Sequence, residues 1–128
     1  MADEFEELTV ADAEGWRAWL DAHHTDVPGV WLVLAKKGTT EPTSISYEQS
    51  VLEALCYGWI DGHTKGRDAA TFIQRYTPRR AKSNWSASNV ARVDQLIAEG
   101  RMRPAGQAEI DRAKADGRWA KALQPRTS

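Results

Sequence analysis

Apolar residues recur along this chain in two rhythms, one of helical period and one of short continuous runs, and turn residues separate them. Ala13, Trp16, Trp19 and Leu20 fall at helical spacing, which predicts a helix from about Val10 to His23 opened by Thr9 and Asp12, with both tryptophans in the core. Residues 1 to 8 are acidic and aperiodic, a flexible arm that docks through Phe5 and Leu8. Asp26-Val-Pro-Gly29 is turn chemistry, and Val30-Trp-Leu-Val-Leu-Ala35 is a β-prone run. After a polar loop from Gly38 to Ser44, Ser46-Tyr-Glu-Gln49 has the form of a capping box, in which each side chain satisfies an orphan backbone amide. The helix it opens is expected to reach about Tyr57, with Val51, Leu52, Leu55 and Trp59 on its buried side and Gly58 ending it.

Two antiparallel strands are expected next, from Trp59 to Lys65 and from Thr71 to Thr77, joined by a loop centred on Asp68 and stopped by Pro78. Ser83 or Asn84 then caps a helix from Trp85 to Glu99 whose apolar positions Val90, Val93 and Ile97 share a face. Pro104 suits the first turn of a last helix reaching Asp116 and closing at Gly117. Ile110 is its one large apolar residue, so it is expected on the surface, with Trp119 tucked back and Lys121 to Ser128 loose. The order α-β-α-β-β-α-α predicts one small α+β domain over residues 9–120, a small sheet packed against helices.

Composition narrows the class. The chain has 128 residues, 41% apolar and 27% charged, which suits one soluble globular domain. No apolar run approaches the ~20 residues that span a bilayer, and the acidic start lacks the basic region of a secretory signal, so a cytoplasmic protein without membrane insertion is expected. Cys56 is the single cysteine, which agrees with a reducing compartment. Charge is unevenly spread: residues 1–60 hold 3 Lys/Arg against 11 Asp/Glu, whereas 61–103 hold 9 against 4. The two parts should attract each other in the fold. That argues against reading the basic part as a nucleic-acid footprint, which needs a basic excess on the whole domain.

Candidate chemistry concentrates between Leu55 and Asn89, where aromatics, a carboxylate, an imidazole and guanidiniums are punctuated by glycines and a proline. Such a mixture suits a small-molecule pocket with apolar walls and a few orienting polar groups. Trp59, Tyr76 and Trp85 could wall it or could be core, with Asn89 one helical turn after Trp85. Arg75, Arg79, Arg80 and Lys82 either bind an anion near the start of the following helix or pair with the acidic part. A hairpin centred on Asp68 sets Asp61 across from Arg75, His63 across from Ile73 and Trp59 across from Thr77, on one face. His63 would then carry protons and Asp61 would orient it, although a one-residue shift sends Asp61 opposite Tyr76. The adjacent His23 and His24 point about 100° apart on a helix, a poor metal pair. Cys56 lies near a helix C-terminus, where the dipole opposes a thiolate, and reads as structural. Gly-rich phosphate cradles are absent, and no cofactor is expected.

The runs Leu55-Cys-Tyr-Gly-Trp-Ile-Asp-Gly62, Gln74-Arg-Tyr-Thr-Pro-Arg-Arg80, Ser83-Asn-Trp-Ser86 with Asn89, and Ile97-Ala-Glu-Gly-Arg-Met-Arg-Pro-Ala-Gly106 resemble the YdeI/OmpD-associated family, also called bacteriocin-protection proteins. The resemblance spans roughly Trp31 to Trp119 and departs from the family pattern at His63 and Ala81. It implies a small bacterial cytosolic α+β protein tied to tolerance of antimicrobial peptides or envelope stress, with no catalytic residues to carry over. The expected function is a stress-protection module that binds a small, partly aromatic or anionic molecule through Trp59, Arg75, Tyr76, Arg79, Trp85 and Asn89. The alternative is an enzyme independent of metal and nucleotide, working through Asp61 and His63. Oligomeric state stays open.

Overall fold

The apolar run Val30–Ala35 forms the strand on which the sheet is assembled. The structure, a computed structural model, describes residues 5–124. Its elements are β1 (Glu7–Leu8), α1 (Ala13–His23), β2 (Val30–Ala35), α2 (Tyr47–Cys56), β3 (Trp59–Gly66), β4 (Thr71–Pro78), α3 (Ala87–Ala98), α4 (Pro104–Ala115) and α5 (Arg118–Ala122). The sheet order is β1-β2-β4-β3, with β1 parallel to β2 and the other pairs antiparallel. This is the α+β class that the pattern predicts. On the inner face Val30, Leu32, Leu34, Trp59 and Tyr76 join the apolar sides of the helices in the main core. On the outer face a small cluster of Trp31, Val33 and Ile73 is partly covered by Phe5, without a helix residue in it.

Local chemistry sets the helix ends. Asp12 accepts from the Gly15 amide at 3.0 Å, so α1 starts at Ala13 and not at Val10. The capping box at Ser46 and Gln49 forms as expected. Ser86, accepting from the Asn89 amide at 3.1 Å, caps α3 in place of Ser83 or Asn84. Trp85 therefore precedes that helix, drawn inward against Trp119 with ring centroids 5.0 Å apart. The buried face of α3 is Val90, Val93 and Leu96, and Ile97 is 45% exposed. Glu7 and Leu8, expected in a loose arm, pair with Trp31 and Leu32; the first four residues of that arm lie outside the described residues. Likewise Lys121 and Ala122 belong to α5, while residues 125–128 lie outside the description.

α4 is less of a surface helix than its composition suggests, since Gly106, Ile110 and Ala113 are buried. A Cβ at Gly106 would sit 2.5 Å from the Cys56 carbonyl oxygen and 2.6 Å from that of Leu55, so the helix touches the end of α2 backbone to backbone. Within α2, the buried Glu53 carboxylate accepts from Arg17 through two nitrogens, at 3.0 and 2.8 Å, and from Arg101 at 2.8 Å. The hydrogen-bonded carboxylate raises the Arg17 pKa above its ordinary value. Arg67 with Glu7, Arg92 with Glu48 and Arg101 with Glu53 realise the attraction between the acidic first part of the chain and the basic middle.

The β3–β4 hairpin corrects the expected register. Next to the turn Thr64, Lys65 and Gly66 pair with Gln74, Ile73 and Phe72, whereas Asp61, Ile60 and Trp59 pair with Tyr76, Thr77 and Pro78. Between these ladders Gly62 and His63 form a bulge. Its cause is Gln74, a buried amide that needs partners: Nε2 donates to the Gly62 and His63 carbonyls at 2.7 and 3.2 Å, and Oε1 accepts from the Thr64 hydroxyl at 2.6 Å. Asp61 is thus opposite Tyr76 and not Arg75, and neither His63 nor Trp59 has its expected partner.

Substituting Gly106→Ala is expected to lower stability by about 1–3 kcal/mol in urea unfolding, because its two nearest neighbours are backbone carbonyls, which cannot rotate away as the Met102 side chain can. An unchanged midpoint would show that α4 can slide off α2 freely.

Candidate functional site

The aromatic residues nominated by the sequence are core. Trp59 is 1% exposed; its indole donates to the His24 carbonyl at 3.2 Å and its ring stands edge-on to Trp19 at 5.8 Å. Tyr76 is fully buried, its hydroxyl 2.5 Å from Ser50 Oγ and its ring 5.3 Å from Trp16. Burial pushes the Tyr76 hydroxyl pKa well up. Sealed in this way, neither residue can wall a ligand pocket together with Trp85. Asn89 lies on the first turn of α3 and its Oδ1 accepts from Arg92 at 2.7 Å, so its expected partnership with Trp85 across one helical turn does not form.

Asp61 and His63 are separated by the bulge. Asp61 sits on the helix-facing side and accepts from the Tyr47 hydroxyl at 2.6 Å. Burial, then the bond to Asp61, push the Tyr47 pKa up to about 12, so this tyrosine is a standing donor. His63 is exposed in the bulge, and Lys65 takes the place opposite Ile73 that the regular register assigned to it. The expected acid–base pair has no geometry to work with.

Arg75 lies on the open face of the sheet, its guanidinium 5.0 Å from the Phe5 ring centroid. Together with Arg80, Lys82 and the Asp61 segment it lines a groove of about 680 Å³. Beside it is a cleft of about 430 Å³ lined by Leu8, Trp19, Val27 and Val30 together with Glu6, Glu7 and His23. Phe5 and Pro28 line both. Phe5 reaches this place because Gly29 has no side chain; a Cβ there would overlap the Phe5 ring. The cationic compartment draws on residues that the charge pattern singled out. The apolar one was missed, and its signal was Phe5 and Leu8 within an otherwise acidic arm, followed at a distance by Pro28-Gly29.

Arg79 belongs to neither compartment. It is 6% exposed, its guanidinium carbon 3.7 Å over the Trp85 ring, and burial pulls its pKa down to about 10.

Among the described residues no group of three His, Cys, Asp or Glu side chains is placed to hold a metal ion; His23 contacts Asp26 and His24 contacts the Leu20 carbonyl. No described helix is long and apolar enough to cross a membrane. A family model described as a domain of unknown function, DUF8412, matches residues 8–109. The chain belongs to that family. No curated protein and no solved structure matches it. The DUF8412 match takes in all of the sheet from Leu8 onward and α1 to α3, and ends within α4, so α5 lies beyond it.

In this DUF8412 member Cys56 is buried at the end of α2, its thiol donating to the Leu52 carbonyl at 3.3 Å. Burial and then the charge of Glu53 push its pKa up to about 11. The folded state therefore holds the thiol proton more tightly than the unfolded chain, where a thiol loses it near pH 8.5. That contribution is whole below about pH 8.5 and is lost as pH rises toward about 11. Ellman's reagent is expected to leave the native protein unlabelled at pH 8 and to label it once in urea. The urea midpoint is expected to fall less steeply between pH 9 and 11 in Cys56→Ala than in the parent; equal slopes would show that the thiol is not held protonated.

Proposed function

We propose that this protein is a cytoplasmic binding module whose ligand is a small amphipathic anion, an apolar or aromatic body carrying a carboxylate, sulfonate or phosphate. The observation that carries the reading is the shared wall: Phe5 and Pro28 join an apolar cleft to a groove holding Arg75, Arg80 and Lys82. Water leaves the apolar side cheaply, and guanidiniums at its edge give the anion both charge and orientation. The Asp61 carboxylate is turned to the helix-facing side, where it accepts from the Tyr47 hydroxyl, which lessens its competition for those cations. The motif resemblance to the YdeI/OmpD-associated family supports placing this binding in tolerance of antimicrobial peptides or envelope stress, a role that capture alone can serve. The enzyme reading through Asp61 and His63 loses its support with the register.

Anilinonaphthalene sulfonate, an aromatic anion whose fluorescence rises in apolar surroundings, is a suitable probe. Saturable binding to the folded protein is expected, weakened about tenfold or more in the Arg75→Ala, Arg80→Ala double variant, since charge-assisted hydrogen bonds contribute about 1.5–3 kcal/mol. Gly29→Ala, which must displace Phe5, is expected to alter the emission maximum. Undiminished binding in the double variant, with its near-UV circular dichroism intact, would remove the groove from the function.

A further inference from the structure

Five nitrogens among the buried side-chain polar atoms lack a hydrogen-bond partner among the described residues, and four of them gather where the β4–α3 loop meets α5: Arg79 Nε and Nη2, Trp85 Nε1 and Arg118 Nη2. Gathered buried donors of one kind call for an acceptor. Arg79 is more than nine-tenths buried and uses only Nη1, which donates to Ser83 Oγ at 3.0 Å and to the Asn84 carbonyl at 3.1 Å. Its Nε and Nη2 share the edge with which a guanidinium pairs two oxygens at once. Arg118 gives Nη1 to the Ser83 carbonyl at 2.6 Å and Nε to both Asp116 oxygens, at 2.9 and 2.8 Å, and keeps Nη2 unpaired. The two carboxylates whose charges favour the Arg79 cation, Glu109 and Asp61, do not hydrogen-bond to it, and they are held by Arg112 and Tyr47. A buried cation without an ion pair costs several kcal/mol.

Beside these donors opens a cleft of about 650 Å³, lined by Trp85 and Arg118 together with Asn84, Ser86, Lys121 and Gln124. We infer that this cleft is a second ligand site, for a molecule that carries an oxyanion, and that the oxyanion is received by Trp85 Nε1 and Arg118 Nη2, with the Arg79 cation stacked on the Trp85 ring adding positive charge. Lys121 in the lining adds positive charge, and among the described residues no carboxylate lines the cleft. Carboxylate and phosphate share the required chemistry, an anionic set of acceptors that can face a guanidinium nitrogen and an indole N–H together. The site lies apart from the Phe5 groove: the two have no lining residue in common. It also depends on α5, which the family match does not reach.

The indole N–H resonances of the full chain report on it directly. Six tryptophans give six peaks, and Trp85→Phe identifies the relevant one. Inorganic phosphate and acetate, each titrated against chloride at constant ionic strength, test the two sources of oxyanion. Saturable movement of the Trp85 peak with either, while those of Trp16, Trp19 and Trp31 stay fixed, is the expected result, and the effective anion assigns the class. Arg118→Met is expected to weaken the response about tenfold or more. Preserved dispersion of the other indole peaks shows that the variants fold. Arg75→Ala, which damages the sulfonate probe's groove, is expected to leave the Trp85 response unchanged, so the two sites fail separately. A Trp85 peak that ignores both anions, or a response undiminished in a folded Arg118→Met, overturns the assignment.

Discussion

Glu53 is the pivot of the helical layer. Its carboxylate is buried in α2 and is shared by Arg17 from α1 and Arg101 from the connection between α3 and α4. Removing one partner of such a group leaves a desolvated charge, and that asymmetry holds three separate parts of the chain to one geometry. The C-terminal end of α2 meets α4 at Gly106, which lies against the Leu55 and Cys56 carbonyls. With its middle and its end tied, α2 presents its first turn to the sheet in one position, which is why Tyr47 can reach Asp61 and Ser50 can reach Tyr76.

Much of the fold was legible because its signals are local. The apolar run of β2, the capping box of α2, and the Pro and Gly that bracket α4 each act within a few residues, and each appears where the pattern placed it. What escaped the sequence depends on partners distant in the chain. The start of α3 moved because Trp85 is claimed by Trp119 and Arg79, and Leu96 displaced Ile97 from the buried face for want of a second layer beyond it. β1 has only two residues, too few for any period to show.

The site follows the same division. That cations cluster around Arg75 to Lys82 is written in the chain, but which of them face solvent is decided by strand alternation and by the loop after Pro78. Arg75 and Arg80 line the open groove, whereas Arg79 between them is turned into the protein against Trp85. The error over Asp61 and His63 came from one amide. An apolar residue in place of Gln74 would have asked nothing of β3, and the regular ladder would have stood; a buried Gln must be given acceptors, and the backbone bends to supply them.

That bend has a bearing on how the edge of the sheet meets neighbouring chains in a crowded solution. β3 is an outer strand of the sheet, eight residues long, and a straight strand of that length offers a neighbouring chain a template for pairing. Here the bulge divides it into two stretches of three, Trp59–Asp61 and Thr64–Gly66, and the carbonyls of Gly62 and His63 at the break already accept from Gln74. A strand approaching from outside would lose register midway, so the residue that satisfies the interior also blunts the edge against aggregation.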